Sequence, residues 1–73
     1  MSIVLFEWRH MALRTRQFDT LAEAARAALD AINRGDAAPE RIEDGSSNVV
    51  WKWEHGLRAE TEALERMLAC NIQ

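Results

Sequence analysis

Asp19-Thr20-Leu21-Ala22-Glu23, and the helix it opens up to Arg34-Gly35, decides the fold. Thr20 and Glu23 have the spacing of a capping box, in which each side chain satisfies a backbone N–H of the first helical turn. Gly35 supplies the left-handed residue that commonly follows a helix. Between them Leu21, Ala25, Ala28 and Ile32 fall on one face, and Glu23, Arg26, Asp30 and Asn33 on the other. The spacing predicts an amphipathic helix over Leu21–Arg34.

Strand signals stand on both sides of it. Ile3 to Arg9 is rich in residues that favour a pleated surface. Ile3 and Leu5 share one face, and Val4, Phe6 and Trp8 the other, which predicts a central strand covered on both sides. His10-Met11-Ala12 is the expected turn. Leu13 to Phe18 is more polar, with Arg14 and Arg16 on one face and Leu13, Thr15 and Gln17 on the other, as suits an edge strand. After the helix, Gly35 to Pro39 is a connector, because Pro39 cannot continue the helix. Glu40–Glu43 is a short strand around Ile42. Asp44-Gly45-Ser46-Ser47-Asn48 is a turn built from residues that tolerate φ > 0 or bond their own backbone. Val49–Trp53 is a strand, with Val49, Trp51 and Trp53 on one face and Val50 and Lys52 on the other. Gly56 ends it. Leu57 to about Asn71 reads as a second helix, with Leu57, Thr61, Leu64 and Leu68 aligned and joined by Met67 and Ile72. No Ser, Thr, Asp or Asn immediately precedes it as a cap. The expectation is one α+β domain over residues 1–73: a small antiparallel sheet with two helices in the order ββαββα.

Composition narrows the function classes. Seventy-three residues lie near the lower limit for a self-sufficient core. Cys70 is the only cysteine, so no internal disulfide staples the fold. A net charge of −3 argues against a general nucleic-acid binder. The Ile3–Phe6 run is too short for a signal peptide and no run spans a bilayer, which sets a cytoplasmic, non-membrane expectation. Eight arginines against one lysine, with twelve alanines, indicate a GC-rich bacterial or phage genome.

Candidate sites are few. Trp51 and Trp53 are core if they face the helices, or interface anchors if they face outward; the core reading is favoured for Trp51, and partial exposure is the expectation for Trp53, nearer the strand end. Two helices cover one face of the sheet, so one of the surfaces around Trp8, Trp51 or Trp53 is expected to be left for a partner. Arg9, His10, Arg14 and Arg16 cluster around the first hairpin, either as a solvated edge or as a grip for phosphate or an acidic partner. His10 and His55 lack metal-ligand spacing, so neither metal nor cofactor is expected. Glu54-His55 is too common a pair to signal an enzyme. Cys70 falls beside Ala59 and Ala63, off the apolar stripe, and reads as a semi-buried structural thiol. Glycines 35, 45 and 56 are isolated and form no phosphate-cradling loop.

Two resemblances are carried by the central stretch. Phe18-Asp19-Thr20-Leu21-Ala22-Glu23-Ala24 resembles the Asp-Thr-Leu-Glu-Glu-Ala helix start of HicB-type antitoxins, small acidic proteins that bind and block a partner toxin. The Pro/Gly segment expected before that helix is missing, and strands follow the helix instead. Arg16 to Trp51, including Pro39-Glu40-Arg41-Ile42-Glu43-Asp44-Gly45, is similar to small orphan proteins of actinobacterial phages and mobile elements, which implies action by binding a host factor. The functional expectation is a non-enzymatic protein-binding chain, inhibiting a host protein, with Trp8, Trp51, Trp53, Arg14 and Arg16 as candidate interface. The alternative is an antitoxin-like or nucleic-acid-associated regulator. A homodimer, or a stable complex with a partner, is expected, because something must cover the second face of the sheet.

Overall fold

The computed structural model describes residues 2–70. Readings placed on Asn71, Ile72 and the Cys70 side chain lie outside the described residues. Six elements follow in the order ββαββα: β1 Ile3–Arg9, β2 Ala12–Phe18, α1 Leu21–Arg34, β3 Ala38–Glu43, β4 Val49–Lys52 and α2 Leu57–Cys70. The strands form one antiparallel sheet in the order β2-β1-β3-β4. The fold class is the α+β one expected, with β1 inside the sheet and β2 at an edge. Among the described residues no helix is long and apolar enough to cross a membrane.

Helix α1 is built as its sequence requires. Thr20 Oγ1 accepts the Glu23 N–H at 3.2 Å, and Glu23 Oε1 accepts the Thr20 N–H at 3.2 Å. Gly35 adopts φ 73° and donates its N–H to the Ala31 carbonyl at 2.9 Å. The buried face is broader than the expected stripe. It comprises Ala24, Ala25, Ala28, Leu29 and Ala31, with Leu21 and Ile32 partly covered. The reason is that α1 packs on the sheet with one side and on α2 with the next. Its alanines let the helix backbone approach both.

The core lies on one side of the sheet. Leu5, Ile42 and Trp51 are successive cross-strand partners and so share a face. They cluster with Ala24, Ala25, Ala28 and Leu29 of α1 and with Leu64 of α2. Leu57, expected on the α2 stripe, is exposed at the helix start.

Four local readings are corrected by register. The first turn uses only His10 and Met11, both at positive φ (54° and 65°), so Ala12 already pairs with Arg9. Two central residues at positive φ give the twist a two-residue hairpin needs, even without glycine or asparagine. Strand β3 begins at Ala38 and contains Pro39. The register against β1 shifts between Phe6 and Glu7, beside the proline that has no N–H for the ladder. A second shift, between Ile42 and Glu43, sets Val49 opposite Glu43 and leaves Val49 exposed, away from the Trp51 row. Strand β4 ends at Lys52, so Trp53 lies past it, although its N–H still bonds the Glu40 carbonyl at 2.9 Å.

Among the described residues no helix covers the other sheet face. Instead the Arg41 guanidinium lies 3.8 Å from the centroid of the Phe6 ring. Arg41 Nε meets Glu43 Oε2 at 2.7 Å, and its Nη1 meets Glu40. The hydrogen bond to Glu43, opposed by partial desolvation and helped by the charges of Glu40 and Glu43, pushes the Arg41 pKa up. Arg41 is therefore a fixed charged plate on an aromatic ring. It provides, within one chain, part of the cover that the sequence assigned to a second copy or a partner.

Candidate protein-binding surface

Trp8, in β1, and Trp53, just past β4, line one groove. Trp8 lies on the helix-free face and is 46 % exposed; Trp53 leaves the end of β4 and is 39 % exposed. The extra residue of the β1–β3 shift, Glu40, lies between them. Its Oε1 accepts the Trp8 Nε1–H at 3.0 Å, and its carbonyl accepts the Trp53 N–H. Ile32 at the end of α1, Ala37, Ala38 and Pro39 at the start of β3, and Leu57 at the start of α2 complete the walls. The groove encloses about 430 Å³ and is open on one side. Its lining is mostly apolar, and among the described residues Glu40 is the charged one. Exposed aromatic and aliphatic groups gathered into a concave patch with a single polar anchor suit a protein side chain or segment.

One wall of the groove is held by a buried carboxylate. Glu60, in the first turn of α2, is 4 % exposed. Its Oε2 accepts the backbone N–H groups of Glu54 and His55, at 2.8 and 2.6 Å. Burial alone would raise the Glu60 pKa. The two amides, together with His55, outweigh burial and hold it below the usual 4.5. The indole N–H of Trp51 adds a weaker favourable contribution to the same carboxylate without reaching hydrogen-bond geometry. Glu60 thus fixes the loop between Trp53 and Leu57.

The hairpin arginines are organised by a second buried carboxylate. Glu7 is 1 % exposed on the helix side of β1. Arg16 grips it with both arms, Nε to Oε2 at 2.7 Å and Nη2 to Oε1 at 3.1 Å. Arg9 Nη2 approaches Oε2 at 3.6 Å. Arg16 also lies 5.6 Å from the Phe18 ring centroid. Arg14 is the cross-strand partner of Glu7, is exposed, and among the described residues enters no ion pair. A cleft between this hairpin and α1 also carries Arg26 and Arg34, but Glu23, Asp30 and Asp36 line it too. Its charges therefore balance, and it makes no strong anion trap.

The sequence-level candidates divide accordingly. Trp8 and Trp53 meet in the groove. Trp51 is corrected from candidate interface to core: it is 6 % exposed, because its strand position faces both helices. Arg14 and Arg16 lie apart from the groove on the opposite sheet face, and Arg16 is committed to Glu7. Glu54 and His55 stand 3.8 Å apart in the open, an ordinary surface contact. Among the described residues, no three His, Cys, Asp or Glu side chains gather as metal ligands would. Sequence reasoning missed Glu7, Glu40, Arg41 and Glu60. Only Glu60 had a local signal: an acid in the first turn of a helix that lacks a cap. No family model, curated protein or solved structure matches this chain.

Proposed function

We infer that the chain is a non-catalytic binding domain whose partner is a protein seated in the Trp8–Trp53 groove. The observation that carries this reading is the convergence of two exposed tryptophans and Leu57 on one apolar hollow. A small core would otherwise gain from burying them. The arginine- and alanine-rich composition and the resemblance to phage and mobile-element proteins support a bacterial or phage setting. They favour a cytoplasmic host protein as the target and its inhibition as the purpose. An antitoxin-like or nucleic-acid-associated regulator is the weaker reading. It would draw on Arg14 and Arg16, and Arg16 already has its charge met by Glu7.

The test is affinity capture from a GC-rich bacterial lysate, run in parallel with the wild type and Trp53→Ser. The expected result is a partner retained through washes at about 0.5 M salt, where phosphate-mediated binding fails, and lost with the variant. Capture that is unchanged in Trp53→Ser would overturn the groove as the binding site. Release of every partner by salt would favour the nucleic-acid reading. Light scattering of the pure protein over a dilution series tells whether the occupant is a second copy, burying the same patch twice across a two-fold axis.

A further inference from the structure

The geometry points to the free edge of β2 as a docking rail for an extended, acidic segment of another protein. The inference stands on observations separate from the Trp8–Trp53 groove. Ala12–Phe18 is a full-length edge strand, paired without interruption from Ile3↔Phe18 to Arg9↔Ala12, and it contains no proline. The two-residue turn makes Arg9 and Ala12 a mutually hydrogen-bonded pair. Antiparallel pairs alternate, so Arg14, Arg16 and Phe18 bond back to β1 as well. The N–H and C=O groups of Leu13, Thr15 and Gln17 therefore point away from the sheet. They are an unused ladder of donors and acceptors, which a further strand would complete.

Charge selects the occupant. A strand added there meets Arg14 and Arg16 in the closely spaced, non-hydrogen-bonded positions, where opposite side chains are nearest. Strand β2 carries these two arginines and no acid. On the helix side of the hairpin Arg9 and Arg16 both contact the Glu7 carboxylate, which leaves Arg14 as the hairpin arginine in no ion pair among the described residues. The same charges reject a second copy. A two-fold centred on Thr15 sets Arg14 against Arg16 of the other copy; one centred on Arg14 or Arg16 sets that arginine against itself. An acidic residue opposite Arg14 meets its unpaired charge, and a second one two positions along reaches the exposed part of Arg16, in either strand direction. Apolar or β-branched residues between them would fall beside Leu13 and Thr15.

The test is an amide-resolved NMR titration of the full chain with the capped peptide acetyl-Val-Glu-Thr-Glu-Val-Thr-amide, and with its counterpart bearing Lys for Glu. The Glu peptide is expected to shift the amides of Leu13, Thr15 and Gln17, and the Lys peptide to leave them unmoved. Arg14→Gln should weaken binding about three- to fivefold, the scale of one cross-strand ion pair. Thr15→Pro should abolish it. Its N–H points outward, so proline blocks the rail while the bonds to β1 survive, as the variant's own spectrum will show. Trp53→Ser should bind the peptide as the wild type does, which separates this site from the groove. Equal shifts with both peptides, shifts centred elsewhere, or none up to about 2 mM peptide would overturn the proposal. So would movement of the Thr15 amide on dilution of the protein alone, the sign of a second copy on the edge.

Discussion

Replacing Glu60 tests whether a buried carboxylate holds the loop that shapes the groove. In the folded chain one oxygen, Oε2, accepts two backbone N–H groups, from Glu54 and His55. A hydrogen bond to a charged group contributes about 1.5–3 kcal/mol net. The two share one acceptor, and the loop is exposed enough for water to replace part of the loss, so Glu60→Leu should cost about 3 kcal/mol. Glu60→Gln keeps the shape and can present its amide oxygen to both donors. It loses only the charge, roughly half the strength, and should cost about 1–2 kcal/mol. The pH dependence gives a second handle. The folded pKa of Glu60 lies below its ordinary 4.5. The wild type therefore has the full contribution above about pH 4.5 and loses it as pH falls through the folded value. Urea unfolding at pH 7 and at steps down to pH 3 should show the gap between wild type and Glu60→Gln closing with acid. A drop of 3 kcal/mol corresponds to roughly 12–24 °C in Tm for a domain of this size. Equal costs for Leu and Gln, or a gap that stays constant with pH, would refute the charged-acceptor role.

Two further outcomes follow from the same reasoning. Thr20→Ala should cost about 1 kcal/mol in urea unfolding, because the Glu23 N–H loses its acceptor while the rest of the helix is unchanged. The Glu7–Arg16 fork should respond asymmetrically. Arg16→Ala strands a buried carboxylate with only the looser Arg9 contact, and should cost about 2–3 kcal/mol. Glu7→Leu removes the buried charge itself and should cost less, and a double-mutant cycle of the two measures the coupling.

The parts of the fold legible in the sequence are those fixed by neighbours along the chain. The Thr20–Glu23 box, the Gly35 stop and the Asp44 turn each close within a few residues. Asp44 Oδ1 accepts the N–H groups of Ser46 and Asn48 at 2.8 and 3.0 Å, and these bonds hold its pKa down. Alternation also placed Leu5, Trp51 and the β2 arginines on the correct faces. What alternation cannot carry is an inserted residue. The register shifts beside Glu40 and Val49 each break the period of two, so Val49 left the Trp51 row and Glu40 came to lie next to Trp8. The buried acids were illegible for a different reason. Glu7 and Glu60 read as surface residues until the pairing brings Arg16 to one and the loop amides to the other. Trp51 and Trp53 are two residues apart with the same parity; they differ because the strand ends between them.

The exposed tryptophans carry an energetic consequence that links the two proposed surfaces. A fully buried Trp removes up to about 250 Å² from water. At 46 % and 39 % exposure, Trp8 and Trp53 each leave roughly 100 Å² wet, or about 2.5 kcal/mol of unrealised burial at 25 cal/mol per Å². Together that is comparable with the whole net stability expected of a domain this size, about 4–11 kcal/mol. A partner that covered both would gain about 5 kcal/mol from them. That gain by itself only offsets the low end of the cost of association, about 4–15 kcal/mol. The groove therefore needs a second contact to hold a partner well, and the sheet register supplies a route to one. Leu13 is the cross-strand neighbour of Trp8. A strand laid along β2 lies two strand spacings, about 10 Å, from β1, so one partner needs a short connecting segment to place an acidic strand on the edge and an apolar residue between Trp8 and Trp53. Two weak contacts on one rigid sheet then act as one site, because the second forms without a further loss of translational freedom.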